Sequence, residues 1–170
     1  MEPIVIENKL LRIRETGEGD LGWVLATEGH PDNREHVYNW SMDRHKACIK
    51  SSDERHFIVE EQDLGRRVGY VILSGLDSEH EVISFDRIVI ADKGRGYGRE
   101  TVSLIKKLCF EVFECHRLWL DVFDGNPQAR KLYESEGFVF EGTLRECKKR
   151  GSVHLSMHVL SMLSHEYEQE

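Results

Sequence analysis

Apolar and polar positions change period several times along the chain, and each change marks a predicted element. Over residues 4–14, Ile4 and Ile6, then Leu11 and Ile13, alternate with polar side chains, the period of one half-buried strand. Residues 18–29 switch to helical spacing, with Leu21, Val24 and Leu25 on one face and Asp20 as a candidate N-cap. Residues 32–50 hold Trp40 among many polar groups and predict a second short helix, then a loop or a further helix. Strand patterns return over 55–61, 67–76 and 81–90. The turns between them, Asp63-Leu64-Gly65 and Asp77-Ser78-Glu79, are short, which predicts an antiparallel meander.

After Ile90 the character shifts. A glycine-rich stretch, residues 91–100, leads into a helical pattern whose stripe is Val102, Leu104, Ile105, Leu108, Cys109, Val112 and Phe113. Residues 116–123 read as a strand with Leu118, Leu120 and Val122 on one side. Residues 126–136 predict a short helix, with Asn126 as cap, Pro127 at the first helical position and Gly137 as its stop. Two closing strands around Gly151 and a frayed helix over 161–170 complete the chain. The predicted class is α/β, with a mixed, mostly antiparallel sheet of seven strands and about four helices.

Composition narrows the function. The chain has 170 residues, 39% hydrophobic and 32% charged, and one domain spanning 1–170 is expected. No apolar run approaches the ~20 residues that cross a bilayer, and the opening residues resemble neither a signal nor a transit peptide. A cytoplasmic location and no membrane partner are therefore expected. The net charge of -8 argues against a nucleic-acid partner. It serves solubility and gives a small bias towards cationic ligands. Cys48, Cys109, Cys115 and Cys147 form no CxxC and no zinc spacing, so reduced thiols and no metal are expected. Cys109, inside an apolar helix, reads as core.

The glycine turn carries the first chemistry. Gly94, Gly96 and Gly98 alternate at a helix start, where free amides and the helix dipole can hold an anion. Lys93, Arg95 and Arg99 add positive charge to an otherwise acidic chain. A dinucleotide fingerprint needs glycine at the sixth position from Gly94, and Arg99 stands there. The P-loop pattern GxxxxGK[ST] is absent. A pyrophosphate cradle is the functional reading, and a merely flexible turn is its alternative.

The stretch Ile88-Val89-Ile90-Ala91-Asp92-Lys93-Gly94-Arg95-Gly96-Tyr97-Gly98 resembles the acetyl-CoA motif of the GNAT N-acetyltransferases, with Lys93 where Arg or Gln is usual. Residues 126–138, from Asn126 through Ala129 and Tyr133 to Gly137-Phe138, resemble the N-x-x-A-x-x-x-Y-x-x-x-G-F segment of the same family. The closing residues, 141–160, look like the branch that includes ribosomal-protein N-terminal amine and spermidine acetyltransferases. The resemblance implies a sheet splayed between the fourth and fifth predicted strands, 81–90 and 116–123. It implies that backbone groups of Ile88 and Ile90, with Val89 between them, pair with the pantetheine arm. Amides from about Arg95 to Arg99 would hold the pyrophosphate. Asn126 would touch acetyl-CoA near its thioester, and Tyr133 would be the general acid. The expected partner is a small-molecule or peptide amine: a protein N-terminus, a polyamine or another small amine. A homodimer is one expected assembly, because dimers are frequent in similar proteins.

Acetyl transfer makes three demands. The amine must lose a proton, the oxyanion needs a donor near residues 88–90, and the thiolate must be stabilised. A thiol ionises near 8.5 and a phenol near 10, so Tyr133 can serve the leaving sulfur. Asp86 is the candidate base, since two residues before Ile88 it should share that residue's sheet face. Glu81, Ser84 and His116, acting directly or through water, are further candidates, and an ion pair of Asp86 with Arg87 or a surface lysine is the alternative. Trp23 and Trp119 read as core, and Tyr133 itself could simply pack there. Trp40 falls in the region that walls the acceptor in similar proteins. Glu28, Asp32, Glu35 and Asp43 would either attract a cationic amine or be plain surface. His154 and His158 share a strand face without a ligand set around them. A non-catalytic acyl-CoA sensor or structural subunit is the alternative, and a nucleotide-binding module is a third reading.

Overall fold

The computed structural model describes residues 3–168. Among them are eight strands in one sheet of order β1-β2-β3-β4-β5-β6-β8-β7. The eighth strand comes from the expected single strand over 4–14, which is a hairpin of β1 (Val5–Glu7) and β2 (Leu11–Glu15). Asn8 makes the reversal: its Oδ1 accepts from the amides of Leu10 and Leu11, both at 2.8 Å. That side chain adds to the turn's backbone hydrogen bond, from the Asn8 amide to the Leu11 carbonyl at 2.9 Å. The hydrophobic alternation runs on through both arms, so the pattern alone does not show the bend.

The helices are α1 (Leu21–Glu28), α2 (Pro31–Arg34), α3 (Met42–Lys50), α4 (Tyr97–Lys107), α5 (Pro127–Ser135) and α6 (Ser164–Tyr167). These are six rather than about four, because α2 and α6 are single turns of 4 residues each. Residues 169–170 of the expected tail helix lie outside the described residues. Asp20 stands at the N-cap of α1 but caps no helix amide. Its carboxylate takes the Gly17 amide at 2.9 Å and the Arg14 guanidinium at 2.8 Å instead. α4 runs on as a π-helical stretch, Leu108–Val112.

The expected meander is present as β3 (Glu54–Glu61), β4 (Arg67–Ser74) and β5 (Val82–Ile90), all antiparallel. Both faces of β3 and β4 are covered. On one face Phe57, Val71 and Phe85 pack with Val102, Ile105 and Leu108 around α4. On the other, Ile58, Tyr70, Ile72 and Val89 pack with Val24 of α1 and Cys48 of α3. Each such side chain, fully buried, contributes roughly 1.5–3 kcal/mol. Cys109 is fully buried, as expected. Asn126 caps α5 by accepting from the Ala129 amide, and Gly137 takes a left-handed φ of 88°.

Two irregularities shape the site. β5 and β6 (Arg117–Phe123) run parallel and pair only over Val82–Ser84 with Arg117–Trp119. Beyond Trp119, β6 stays with β8 (Val153–Leu163), which in turn pairs with β7 (Val139–Arg150), so the sheet opens into a V. The second irregularity is a bulge. Ile72 faces Arg87 while Leu73 faces Phe85, which leaves Asp86 as an extra residue. Phe85 and Ile88, three apart, therefore both pack on the α4 side. The expectation that Asp86 shares a face with Ile88 fails here, because the bulge breaks the two-residue period.

Candidate active site

A cavity of about 670 Å³ follows the upper half of β5, the glycine turn, and the starts of α4 and α5. Ile88, Val89, Ile90, Lys93, Gly94, Gly96, Tyr97, Gly98 and Arg99 line it on one side, and Asn126 and Tyr133 on the other. Beyond Ser84 the pairing with β6 has ended, so the main chain of Ile88 to Ile90 borders this opening. Gly94 and Gly96 adopt φ of 79° and 78°, and Gly96 is the N-cap of α4. A Cβ built at either meets no atom within 4 Å, so conformation and not crowding calls for glycine. The turn thus offers open backbone amides at the positive end of an 11-residue helix.

The side chains around the turn divide. The Lys93 ammonium donates to the Asp32 carbonyl at 2.6 Å. Arg99 pairs with Glu136 while half of its side chain stays exposed. Arg95 turns to Asp92 at 3.2 Å and is absent from the wall, unlike its neighbours. Tyr97 is buried and its hydroxyl donates to Glu61, which ties the helix start to β3. The fit to a diphosphate with a thioester arm rests on the backbone cradle, Lys93 and Arg99.

A second cavity, of about 460 Å³, opens in the V between β5 and β6. It shares His36, Val37, Ile88, Asn126, Ala129 and Tyr133 with the first, so the two meet along one wall. Tyr133 stands in that wall. Its ring packs edge-on to Phe138 at 5.8 Å and Phe85 at 6.3 Å, and burial raises its pKa, which keeps the phenol protonated. Its ring belongs to the buried core, as the packing alternative expects, and it also lines both cavities.

Asp86 and Asp121 both line the second cavity, near enough that the charge of Asp86 acts on Asp121. Ser84 and Trp119 are the last paired residues, and each aspartate lies two positions further along its strand. Asp86 opens to solvent through the cavity, yet protein surrounds it, and this enclosure raises its pKa against the opposing hydrogen bonds of Ser74 and Ser84. The Ser84 hydroxyl donates to Asp86. Asp121 is raised by burial and also by Asp86, while Lys148 pulls it down. The pairing of Asp86 with Arg87 does not occur. Of the other base candidates, only Ser84 lines the cavity. His116 instead contacts the Ser164 hydroxyl at 3.2 Å, and the Glu81 carbonyl accepts the His116 amide at 2.8 Å.

Several expectations need correction. Trp119, read as core, lines the second cavity, and Trp23 is only half-buried, with Arg67 5.7 Å from its ring. Trp40 does reach the cavity wall, but Arg44 and Arg87 sit over its ring at 4.0 and 4.7 Å. Glu28 is neither surface nor ligand-facing: it is fully buried and takes the Tyr70 hydroxyl and the Arg87 guanidinium, each at 2.6 Å. His158 pairs with the Thr143 hydroxyl at 2.8 Å. Asp121 was legible in principle, as the polar member of a strand whose alternate residues Leu118, Leu120 and Val122 are core. Arg87 and Glu28 carried no such signal.

Residues 21–138 match the sequence profile of the acetyltransferase (GNAT) family. The chain belongs to this family. The GNAT enzyme is 32% identical over 150 residues to the spermidine N(1)-acetyltransferase of Vibrio cholerae, covering 82% of this chain and 84% of that one. It is 27% identical over 108 residues to the spermine/spermidine N(1)-acetyltransferase of Bacillus subtilis, 58% of this chain and 71% of that one. The Vibrio cholerae spermidine N-acetyltransferase solved with CoA and spermine superposes with a TM-score of 0.85 at 26% identity, over 95% of this chain and 99% of that one. This GNAT protein is thus an acetyl-CoA-dependent N-acetyltransferase acting on an amine. Among the described residues no helix is long and apolar enough to cross a membrane.

Proposed function

We propose that the enzyme acetylates a polyamine, held with its reacting nitrogen between Asp86 and Asp121 and the acetyl donor entering from the glycine-turn side. The observation that carries this reading is the pair of carboxylates lining the V together with Tyr133, in a cavity that shares a wall with the cofactor's. A polyamine offers several ammonium groups, and two carboxylates of raised pKa gain from a cation between them. The spermidine and spermine specificity in the names of the relatives supports the same class.

Each residue then has a step. Backbone amides of the turn from Gly94 to Gly98, with Lys93 and Arg99, hold the diphosphate, and the main chain of Ile88 to Ile90 aligns the arm. Asp86 takes the proton of the ammonium, and the freed nitrogen attacks the acetyl carbon. The C–N bond forms, the C–S bond breaks, and the Tyr133 hydroxyl donates to the departing sulfur. Burial keeps this phenol from ionising, so it reaches the reaction as a donor. Asn126 caps α5 through its oxygen and lines the wall shared by the two cavities.

A cytoplasmic location fits four free cysteines, of which three are buried. Self-association is supported by the dodecameric Vibrio cholerae relative, which superposes with a TM-score of 0.80 at 27% identity, over 94% of this chain and 97% of that one. The exposed apolar residues Val139, Phe140 and Leu144 on β7 suit such contacts, with a homodimer as the smallest unit. The test is a panel of spermidine, spermine, peptides with free N-termini and aminoglycosides, followed by CoA release. Spermidine or spermine should turn over fastest, and Tyr133→Phe should slow kcat about 100-fold or more. A panel won by peptides would overturn the polyamine assignment. An unchanged rate in Tyr133→Phe would remove the phenol from the chemistry.

A further inference from the structure

Behind the acceptor cavity lies a buried polar cluster that the chemistry above does not use. Its centre is Glu28, at the last turn of α1 and fully buried. Burial alone would raise this carboxyl's pKa, but contacts from His45, Tyr70, Arg87 and the Trp40 amide reverse the shift, so Glu28 is held as an anion. The Tyr70 hydroxyl of β4 and Arg87 Nη1 of β5 both donate to Oε2 at 2.6 Å. The Trp40 amide donates to Oε1 at 2.6 Å. His45 Nε2 lies 3.2 Å from Oε2, and His45 and His56 continue the cluster to Thr16. Glu28 itself does not line the acceptor cavity, whereas two of its partners, Arg87 and Trp40, do.

What Glu28 does hold is the strap, residues 35–40, that closes the acceptor cavity. His36, Val37, Tyr38 and Trp40 line it. Arg87 Nη2 donates to the Tyr38 carbonyl at 2.6 Å while its Nη1 meets Glu28. One carboxylate therefore pins the strap twice, directly at the Trp40 amide and through Arg87 at Tyr38. Two further strap hydrogen bonds, Arg150 to the Glu35 carbonyl and Tyr38 to the Lys149 carbonyl, are exposed, while Val37 and Trp40 add apolar packing on the cluster of Ile58, Tyr70 and Val89. Exposed contacts of this kind hold geometry poorly compared with a desolvated charge pair.

We propose that Glu28 is a positioning residue for amine recognition: through Arg87 and the Trp40 amide it fixes the strap wall of the acceptor cavity. This rests on the acceptor reading of that cavity. Glu28→Gln keeps the shape but removes the charge. With spermidine as acceptor, its KM should rise about tenfold or more, while kcat and the acetyl-CoA KM move less than about threefold. Because the single variant leaves Arg87 unpaired and could fold poorly, Glu28→Gln with Arg87→Met is measured alongside it. Removing both partners relieves the buried charge and should return most of the lost thermal stability. The spermidine KM should stay high, no worse than in Glu28→Gln, because both residues act as one unit.

A KM that recovers together with stability would reduce Glu28 to a structural role and overturn the proposal. So would an acetyl-CoA KM that rises as much as that of spermidine. The same assays on Asp86→Asn and Asp121→Asn separate the two readings. If Asp121→Asn leaves the spermidine KM unchanged and Asp86→Asn leaves kcat unchanged while Glu28→Gln raises the KM, the carboxylate-pair reading fails and the strap reading stands. The reverse result defeats the strap and spares the pair.

Discussion

Asp86 and Asp121 carry different expectations although they face the same space. Enclosure raises both, and an aspartate that must accept a proton is idle once protonated. The acid limb of kcat/KM should therefore lie above the ordinary aspartate range near 3.9, with activity lost as pH falls through the raised value. Asp86→Asn should abolish that limb and cost about 100-fold in kcat/KM. Asp121→Asn should keep the limb and raise the amine KM about tenfold. A pH–rate series on both variants assigns the base, and a limb that vanishes only in Asp121→Asn would exchange the roles. At this scale the sequence was uneven. Tyr133, Gly96 and Asn126 stand in spaced motifs, and Asp121 stands out from an alternating strand. Glu28 gave no hint of burial, because its partners Tyr70 and Arg87 lie 42 and 59 residues away and only tertiary folding unites them.

Elements set by local chemistry were the most legible. The cap and stop of α5, the stripe of α4 and the three-strand meander all follow from short-range rules. Elements set by pairing were not: the β1–β2 reversal is closed at Asn8 by its side chain and its own amide, and the bulge at Asp86 is visible only in the register against β4. The start of α4 allows a contrasting pair of substitutions. Gly96→Ala puts a Cβ on a residue at φ 78° and should cost about 1–2 kcal/mol, with weaker CoA binding. Gly98→Ala adds a Cβ on the helix itself, 3.6 Å from Leu132 Cδ2, and should be close to neutral in stability. Calorimetric melting with and without CoA reads both effects. Equal losses in the two variants would mean that conformation at Gly96 is not the constraint.

For the molecule as a whole, buried His56 ties folding to pH. Burial holds His56 near a pKa of about 3, against about 6.5 in an unfolded chain. The folded state refuses a proton that the unfolded state takes, so stability declines as pH falls from about 6.5 towards 3. By pH 5 the loss from this one group is on the order of 2 kcal/mol. Urea unfolding at pH 7.5 and pH 5 should show it, and His56→Gln should flatten the difference. An unaltered slope would place the acid sensitivity elsewhere.

The strap also has a meaning for how such an enzyme diversifies. His36 and Val37 touch both cavities at once, and Lys93 beside the diphosphate cradle grips α2, just ahead of the strap, at the Asp32 carbonyl. A substitution here that widens the choice of amine also alters the chamber next door. Tolerance for new acceptors is therefore bought against grip on the donor, and lineages that drift in one must compensate in the other.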